Sequence, residues 1–387
     1  MSDQYAIAPR PGRAPLWNLG FLSLLATQFF EAASDNIIKG VITFAVAVGG
    51  PWEKSFGKGG NGLVGLVFTV PFILLSAFGG RIADRYSKSR VTWILKAVSL
   101  AVCALCAVEF ARGSAWGALA ALVAFATVSA FFGPVKYGMI AELVEARQIP
   151  RANGIVNMAT NVAVIVGLIV AGIVAKDWKA SFGDATAPTG LDAWLPGLTM
   201  GAFVVGGFLT CLTLPKLAPQ APDLPVDLNP FSTYLSTIRV MAKGPLLAVC
   251  GAWTFFYLVA TAVLLILPDY SQYLGTPDDQ TSLLMAGLAV SIGVGCVVAA
   301  YLDRPERRSA FVTAGAAGLA ATFAALGLAP ADYALTAILL SATGLVAGFY
   351  IIPLQSLLQQ LSPDEIRGRV LGTANGLSFV MGAVGSG

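Results

Sequence analysis

Three ionisable residues, Glu31, Asp35 and Lys39, stand four positions apart in one apolar stretch. On a helix this spacing places them in a single stripe. A fourth charge, Lys136, lies within another apolar stretch. Because each charge would be costly against lipid, we expect these side chains to face a watery cavity. Lys136 then suits a phosphate and Asp35 an ammonium group, so the pair suits a zwitterion.

A purely structural role is the alternative for the same residues. Asp35 and Lys39 could neutralise each other as an i, i+4 pair on one helix. Lys136 could extend its amine toward the nearer membrane surface, as we also expect of Lys96. The sequence leaves both possibilities open.

Several kinds of chemistry lack the residues they need. The chain has no histidine, which excludes imidazole zinc sites and Ser-His-Asp catalysis. Gly57-Lys58 is followed by Gly59, where a phosphate-binding loop needs Ser or Thr. The five cysteines lie in or beside apolar runs and are expected to behave as small buried hydrophobes. We therefore expect no enzyme, cofactor, metal or nucleic-acid partner.

The composition indicates a polytopic α-helical membrane protein. Charged residues make up 12% of the 387 residues, hydrophobic residues make up 56%, and the mean hydropathy is +0.75. A membrane-crossing helix needs about 20 apolar residues, and such runs recur along the whole chain. The predicted spans are 17–48, 61–80, 91–110, 115–142, 154–175, 193–214, 246–267, 281–301, 309–328 and 333–361, with part of an eleventh from Thr373.

The basic residues between the spans predict the orientation. With a cytoplasmic N-terminus, sixteen Lys and Arg fall inside and five fall outside, in agreement with the positive-inside rule. The outer five are Lys54, Lys58, Arg112, Lys176 and Lys179. The inner sixteen are Arg10, Arg13, Arg81, Arg85, Lys88, Arg90, Arg147, Arg151, Lys216, Arg239, Lys243, Arg304, Arg307, Arg308, Arg367 and Arg369.

An internal repeat divides the chain into two halves. Asp84-Arg85 matches Asp303-Arg304, and Pro134 matches Pro353, at the same separation of 219 residues. We therefore predict an N-terminal six-helix bundle (1–214), a cytoplasmic linker (215–245) and an incomplete C-terminal bundle (246–387). The repeat places further helices near 373–394 and 412–433. An end at Gly387 would fall within a helix, so we expect the chain to be a truncated part of a longer protein.

The loop after the second span resembles the signature of the major facilitator superfamily. The residues that carry it are Gly80, Asp84, Arg85 and Arg90 in Gly-Arg-Ile-Ala-Asp-Arg-Tyr-Ser-Lys-Ser-Arg. This resemblance implies two six-helix bundles and a gating loop, with Asp303 and Arg304 as its counterpart in the second half. The glycine would allow a close helix approach, and the acid would cap a helix or pair with arginine in one gating state.

A second set of motifs resembles the lysophospholipid transporter family. The residues are Asp35-Asn36, Phe132-Gly133-Pro134-Val135-Lys136-Tyr137-Gly138, Glu142-Leu143, Ala152-Asn153-Gly154, Gly348-Phe349-Tyr350-Ile351-Ile352-Pro353-Leu354-Gln355 and Leu357-Leu358-Gln359. The resemblance implies flipping of lysophosphatidylethanolamine or a related lysolipid across a bacterial inner membrane for reacylation. It also implies an acyltransferase or acyl-carrier-protein synthetase as partner, separate or fused.

The same resemblance places Asn36 and Tyr137 with the charged residues in the substrate site. Gln355 and Gln359 share one face of the tenth span, and Gln355 occupies the repeat position of Lys136. These two amides could bind a glycerol hydroxyl or an ester. The stripe Asn153, Asn157 and Asn161 is instead expected to hold helices together.

Two other functions compete with lysolipid transport. One is a proton-coupled exporter of amphipathic compounds, with Asp35 or Glu31 as the proton carrier. The other is a membrane domain that only anchors a fused acyltransferase. Charges that face a cavity argue against a mere anchor.

Overall fold

The computed structural model describes residues 14–385 apart from 184, 186, 226, 228, 276 and 277. Arg10 and Arg13, which enter the predicted orientation, lie outside the described residues, and so does the predicted chain end at Gly387.

Eleven long helices make up most of the described chain, and nine of them are long and apolar enough to cross a membrane. The other two are α1, which holds the stripe of three charges, and α11, whose first turn contains Arg367 and Arg369. The predicted all-α, polytopic fold is confirmed. The helices are α1 Leu19–Val46, α2 Gly60–Arg85, α3 Lys88–Ala111, α4 Ala115–Leu143, α5 Ile149–Ala180, α6 Leu195–Cys211, α7 Leu246–Leu274, α8 Asp278–Leu302, α9 Arg308–Leu328, α10 Tyr333–Leu361 and α11 Arg367–Gly385.

Capping side chains and prolines fix the local course of the chain. The side chains of Asn18, Ser87 and Ser114 accept hydrogen bonds from the first turns of α1, α3 and α4. Each such cap satisfies an amide that has no partner within the helix. The repeat prolines Pro134 and Pro353 lie inside α4 and α10, the fourth helices of their halves.

Helix α11 begins at Arg367 rather than near Thr373. The early start has a polar explanation, because the Arg367 guanidinium donates to the carbonyl oxygens of Gln359 and Ser362. Hydropathy alone cannot predict this contact, because a helical turn that contains charged residues has the same low hydropathy as a loop.

The contacts between the halves follow the repeat. Helix α2 packs along α11, and α5 packs along α8. In the repeat, residues 219 positions apart correspond, so α2 corresponds to α8 and α5 corresponds to α11. The α2–α11 interface is therefore equivalent to the α5–α8 interface. This equivalence is the arrangement expected when two parallel repeats are related by an axis along the membrane normal.

A linker helix, Pro230–Met241, connects the halves and contacts both α2 and α11. Its Tyr234 hydroxyl donates to the carbonyl oxygen of Ile73 at 2.7 Å. Arg81 at the end of α2 donates two hydrogen bonds to the carbonyl oxygen of Pro225. The linker is therefore fixed on the α2–α11 seam.

Glycines set how closely α8 approaches α10. A methyl group at Gly295 would overlap the backbone of Leu345, and one at Gly348 would overlap the backbone of Gly295. A methyl group at Gly287, also in α8, would meet nothing within 4 Å.

We predict that Gly295→Ala lowers the apparent unfolding temperature of the detergent-purified protein by several degrees. Overpacking of this kind costs about 1–3 kcal/mol. The matched control is Gly287→Ala, which should leave the temperature unchanged or raise it, because alanine favours a helix by about 1 kcal/mol over glycine. Equal effects of the two substitutions would contradict the close crossing.

Candidate functional site

Glu31 of α1 and Lys96 of α3 form an ion pair inside the first half. Their side chains are 6% and 1% exposed. The expectation that Lys96 extends toward the membrane surface is therefore wrong. Its amine stays buried because a carboxylate at the same depth neutralises it, and it also lies 4.1 Å from the ring centre of Phe132.

Asp35 lies one turn along α1 from Glu31 and is also buried. Ser129 of α4 connects the two, with its hydroxyl oxygen 3.1 Å from Glu31 Oε1 and 3.0 Å from Asp35 Oδ1. Asp35 makes no ion pair with any described residue, so the alternative of an Asp35–Lys39 pair is not what the structure has. Sequence reasoning missed Ser129, although its spacing of seven from Lys136 on α4 places both on one helix face.

Lys136 and Tyr137 lie where α4 approaches the second half. The Lys136 amine is 4.9 Å from the Tyr137 ring centre and makes no ion pair within the described chain. Tyr137 packs against the apolar cluster of the second half that includes Ile351 and Leu354. Lys136 also lies within electrostatic range of Asp35 and Glu31, and it forms no ion pair with either of them.

A cavity of about 1320 Å³ separates the halves over part of their length. It is larger than ordinary ligand pockets, which have roughly 300–1,000 Å³. Two residues of the predicted substrate site, Asn36 and Lys39, line this cavity, and both are half-buried. The remaining wall is mainly apolar and comes from α1, α5, α7, α8, α9 and α10, including Phe44, Leu168, Phe256, Ala289, Ile292, Phe323 and Tyr350.

Lys39 is the only described cation at the cavity wall. Its amine lies 5.2 Å from the ring centre of Phe68, and none of the described residues forms an ion pair with it. One end of the cavity, at Phe44 and Ser282, lies near the end of the molecule that holds Lys54. The other end, at Asn36 and Ile292, lies about midway along the helices.

At the opposite end, which holds Asp84, amide side chains join the halves. Asn153 of α5 donates to Gln359 and Ser356 of α10 at 3.0 and 3.2 Å. Asn157 donates to Gln355 at 2.9 Å. The prediction that the asparagine stripe holds helices together is confirmed for these two residues. Gln355 and Gln359 are buried in this contact and do not line the cavity.

Asp84 closes the same end at the α2–α11 seam. Its carboxylate accepts hydrogen bonds from the backbone amides of Gly368 and Arg369, at 2.6 and 3.0 Å, and from the Arg369 guanidinium at 3.2 Å. The acid thus caps the beginning of α11, where a negative charge is favourable. Gly80 permits the approach, since any side chain there would overlap the backbone of Gly368.

The remaining residues of the predicted gating loops do not cross between the halves. Arg85 donates to the linker carbonyl of Leu224, and Arg90 is exposed. Asp303 accepts hydrogen bonds from Arg308 of its own half, and Arg304 is exposed. The second acid of the repeat therefore stabilises its own half, in contrast to Asp84.

Comparison with known proteins fits this geometry. Residues 17–386 match the family model described as Major Facilitator Superfamily. The chain therefore belongs to this superfamily, and it is a transporter rather than an enzyme. Among curated proteins it is similar to the lysophospholipid transporter LplT of Salmonella gallinarum, with 27% identity over 364 residues, 91% of this chain and 82% of the relative. LplT of Cronobacter sakazakii is 27% identical over 350 residues, with 89% and 81% covered.

Solved structures of low sequence identity share the fold. The human organic anion transporter MFSD10 superposes with a TM-score of 0.74 at 13% identity, covering 95% of this chain and 91% of its own. FucP in the outward conformation gives a TM-score of 0.71 at 14% identity, covering 94% and 89%.

We predict that Asp84→Asn loosens the closed end. Loss of a charge-assisted contact of about 1.5–3 kcal/mol should raise the open population about tenfold or more. Cys296 reports on this opening, because it is 1% exposed and its carbonyl lies against Gly154 of α5. Its alkylation rate, followed by mass spectrometry, should rise accordingly.

Two controls accompany this measurement. Cys103 and Cys106 lie within the first half and should keep their rates. Arg90→Gln removes a charge of the same loop that does not touch α11, so it should leave Cys296 protected. An unchanged Cys296 rate in Asp84→Asn would show that this contact does not hold the end closed.

Proposed function

We propose that the protein transports lysophospholipids, with lysophosphatidylethanolamine as the model substrate. The observation that carries this proposal is a large, mainly apolar cavity whose only described cation, Lys39, forms no ion pair with any other described residue. Such a cavity suits a molecule with one long acyl chain and one charged head group. The named function of the similar LplT proteins supports the same choice.

The charges near the cavity suggest two positions for the head group. Lys39 and Asn36 would meet the phosphate first, because they reach the cavity wall in this state. Lys136 lies deeper, near Asp35, and would bind the phosphate as the transporter changes state. Asp35 would then meet the ethanolamine ammonium, and Tyr137, Gln355 and Gln359 would contact the glycerol part after the amide contacts separate.

The distribution of basic residues supports an orientation of the chain in the membrane. Most Lys and Arg outside the spans lie at the end that holds Asp84, so we assign that end to the cytoplasm of a bacterial inner membrane. The cavity then faces the outer leaflet, while Asp84, Asn153 and Asn157 close the cytoplasmic side. Rocking of the proposed bundles (1–214 and 246–387) about the linker (215–245) would release the lysolipid inward for an acyltransferase.

The proton-coupled exporter and the anchor make different predictions. An exporter would lose transport in the presence of an uncoupler, whereas lysolipid movement down its gradient would persist. An anchor would tolerate loss of the cavity charges.

We predict that Lys39→Gln lowers uptake of lysophosphatidylethanolamine into proteoliposomes by about tenfold or more. Loss of one charge-assisted phosphate contact of about 1.5–3 kcal/mol sets this scale. The control is Lys54→Gln, which removes an exposed lysine from the same side of the molecule. Full uptake in Lys39→Gln would exclude the proposed phosphate contact.

A second prediction concerns the acyl chain. Ala289 lines the cavity, and Val290 beside it is 47% exposed and lies outside the cavity wall. Ala289→Phe should reduce uptake of a palmitoyl lysolipid much more than uptake of an octanoyl one, because the added ring takes up space near the chain. Val290→Phe adds similar bulk to the same helix and should affect neither. Equal losses for both chain lengths would place the acyl chain elsewhere.

A further inference from the structure

The Ser129 hydroxyl lies within hydrogen-bonding distance of two carboxyl groups. Its oxygen is 3.1 Å from Glu31 Oε1 and 3.0 Å from Asp35 Oδ1. A serine hydroxyl has one hydrogen, so it can make a strong, linear hydrogen bond to only one of these oxygens. The other contact is an equally strong hydrogen bond only if the second carboxyl group carries a proton and donates to the serine oxygen. Two carboxylates would leave two buried acceptor oxygens facing each other across one donor.

The surrounding charges indicate which carboxyl group carries the proton. Glu31 is ionised, because its other oxygen forms the ion pair with Lys96. Asp35 has no ion-pair partner among the described residues, whereas Glu31 already has one in Lys96. The ionisable groups that face Asp35 are Glu31 and Lys39 from α1, Lys96 from α3 and Lys136 from α4.

Other helices packed against α1 add no charge at this depth. In α5 the ionisable residues lie in the terminal turns, in α2 they lie at the Asp84 end, and in α6 the thiol of Cys211 is the only ionisable group. With a proton on Asp35, the hydrogen bonds would run from Asp35 to Ser129, from Ser129 to Glu31, and from Lys96 to Glu31.

We infer that Asp35 holds a proton in this state and that an amine head group displaces it. This inference rests on the proposed function. The protonated carboxyl group and the incoming ammonium group exchange to give a carboxylate–ammonium pair, and one proton passes to the cavity water. The ammonium keeps all its hydrogens, so the charge of the site is conserved. The proton and the amine lysolipid therefore cannot be bound to Asp35 at the same time.

This exclusion depends on the head group. Lysophosphatidylethanolamine carries an ammonium group that can replace the proton, whereas lysophosphatidylglycerol carries only hydroxyl groups. A glycerol head group leaves the proton in place, because a protonated carboxyl group can still exchange hydrogen bonds with a hydroxyl. Only binding of the amine lysolipid should therefore release a proton and depend on pH.

The test measures binding of both lysolipids to the purified full chain in detergent between pH 6 and 8, in sodium-free buffer. Affinity for lysophosphatidylethanolamine should weaken as the pH falls, with a limit of about tenfold per pH unit for one competing proton. In weakly buffered solution, a pH-sensitive dye should record up to one proton released per lipid bound. Lysophosphatidylglycerol should release none and should bind with little dependence on pH.

Asp35→Asn is the decisive variant. Its amide can still donate to Ser129, so the hydrogen-bond chain is kept without a titratable group. We expect it to bind lysophosphatidylglycerol like the parent, which shows that it is folded, and to bind lysophosphatidylethanolamine at least tenfold more weakly, without proton release.

Four results would overturn the inference. The first is proton release, or a pH slope, that is the same in Asp35→Asn and the parent. The second is an affinity that depends on Na⁺ at constant pH, which would assign the oxygens of Glu31, Ser129 and Asp35 to a sodium ion. The third is a parent protein that binds neither lysolipid, which would remove the proposed function and this inference with it. A parent that binds both lysolipids without releasing protons would remove the inference alone.

Discussion

A charge inside the membrane needs a partner or water, and this requirement organises the structure. Helix α1 carries three ionisable side chains along one stripe, and each meets the requirement differently. Glu31 is neutralised by Lys96 from a neighbouring helix, Asp35 shares a serine hydroxyl with Glu31, and Lys39 reaches the cavity. The stripe therefore divides into a part that holds the first half together and a part that remains available to a ligand.

The two seams between the halves close the same end by different means. At the α2–α11 seam, Asp84 bonds to the start of α11 across a glycine crossing, and the linker helix adds Tyr234. At the other seam, neutral amides of α5 bond to amides of α10. Neutral amides cost less to separate and rehydrate than buried charges. After separation, Gln355 and Gln359 would be left as hydrogen-bonding groups, which reconciles their closing contact here with their proposed contact to lysolipid.

Most of the fold could be predicted from the sequence, because hydropathy reports span positions directly and the two Asp-Arg pairs and two prolines fix the repeat. Lys136 and Asp35 were recognised as unusual for the same reason, since a charge in an apolar run is visible in the sequence. The Glu31–Lys96 pair was not predicted, because it joins residues 65 positions apart whose meeting depends on how α3 rotates against α1. The partner of Asp303 was also open, since Arg304, Arg307 and Arg308 all lie within reach along the chain and only the packed structure selects Arg308.

The difference between Asp84 and Asp303 shows why a sequence repeat does not imply equal function. Both acids lie at the end of the second helix of their half, yet Asp303 is neutralised by Arg308 in the next helix, with no exposed side-chain surface. Among the described residues of its own half, no arginine pairs with Asp84: Arg81 and Arg85 are bonded to linker carbonyls, and the nearby Lys88 pairs with Glu142. Because the nearby cations of its own half are bonded to other groups, the Asp84 carboxylate is stabilised by the first turn of α11 and by Arg369 of the opposite half.

A carboxylate whose hydrogen-bond partners lie in its own half contributes rigidity, whereas a carboxylate whose partners lie across the seam loses them whenever the seam opens. Asp84 thereby links the closed end to the state of the transporter, and Asp303 does not.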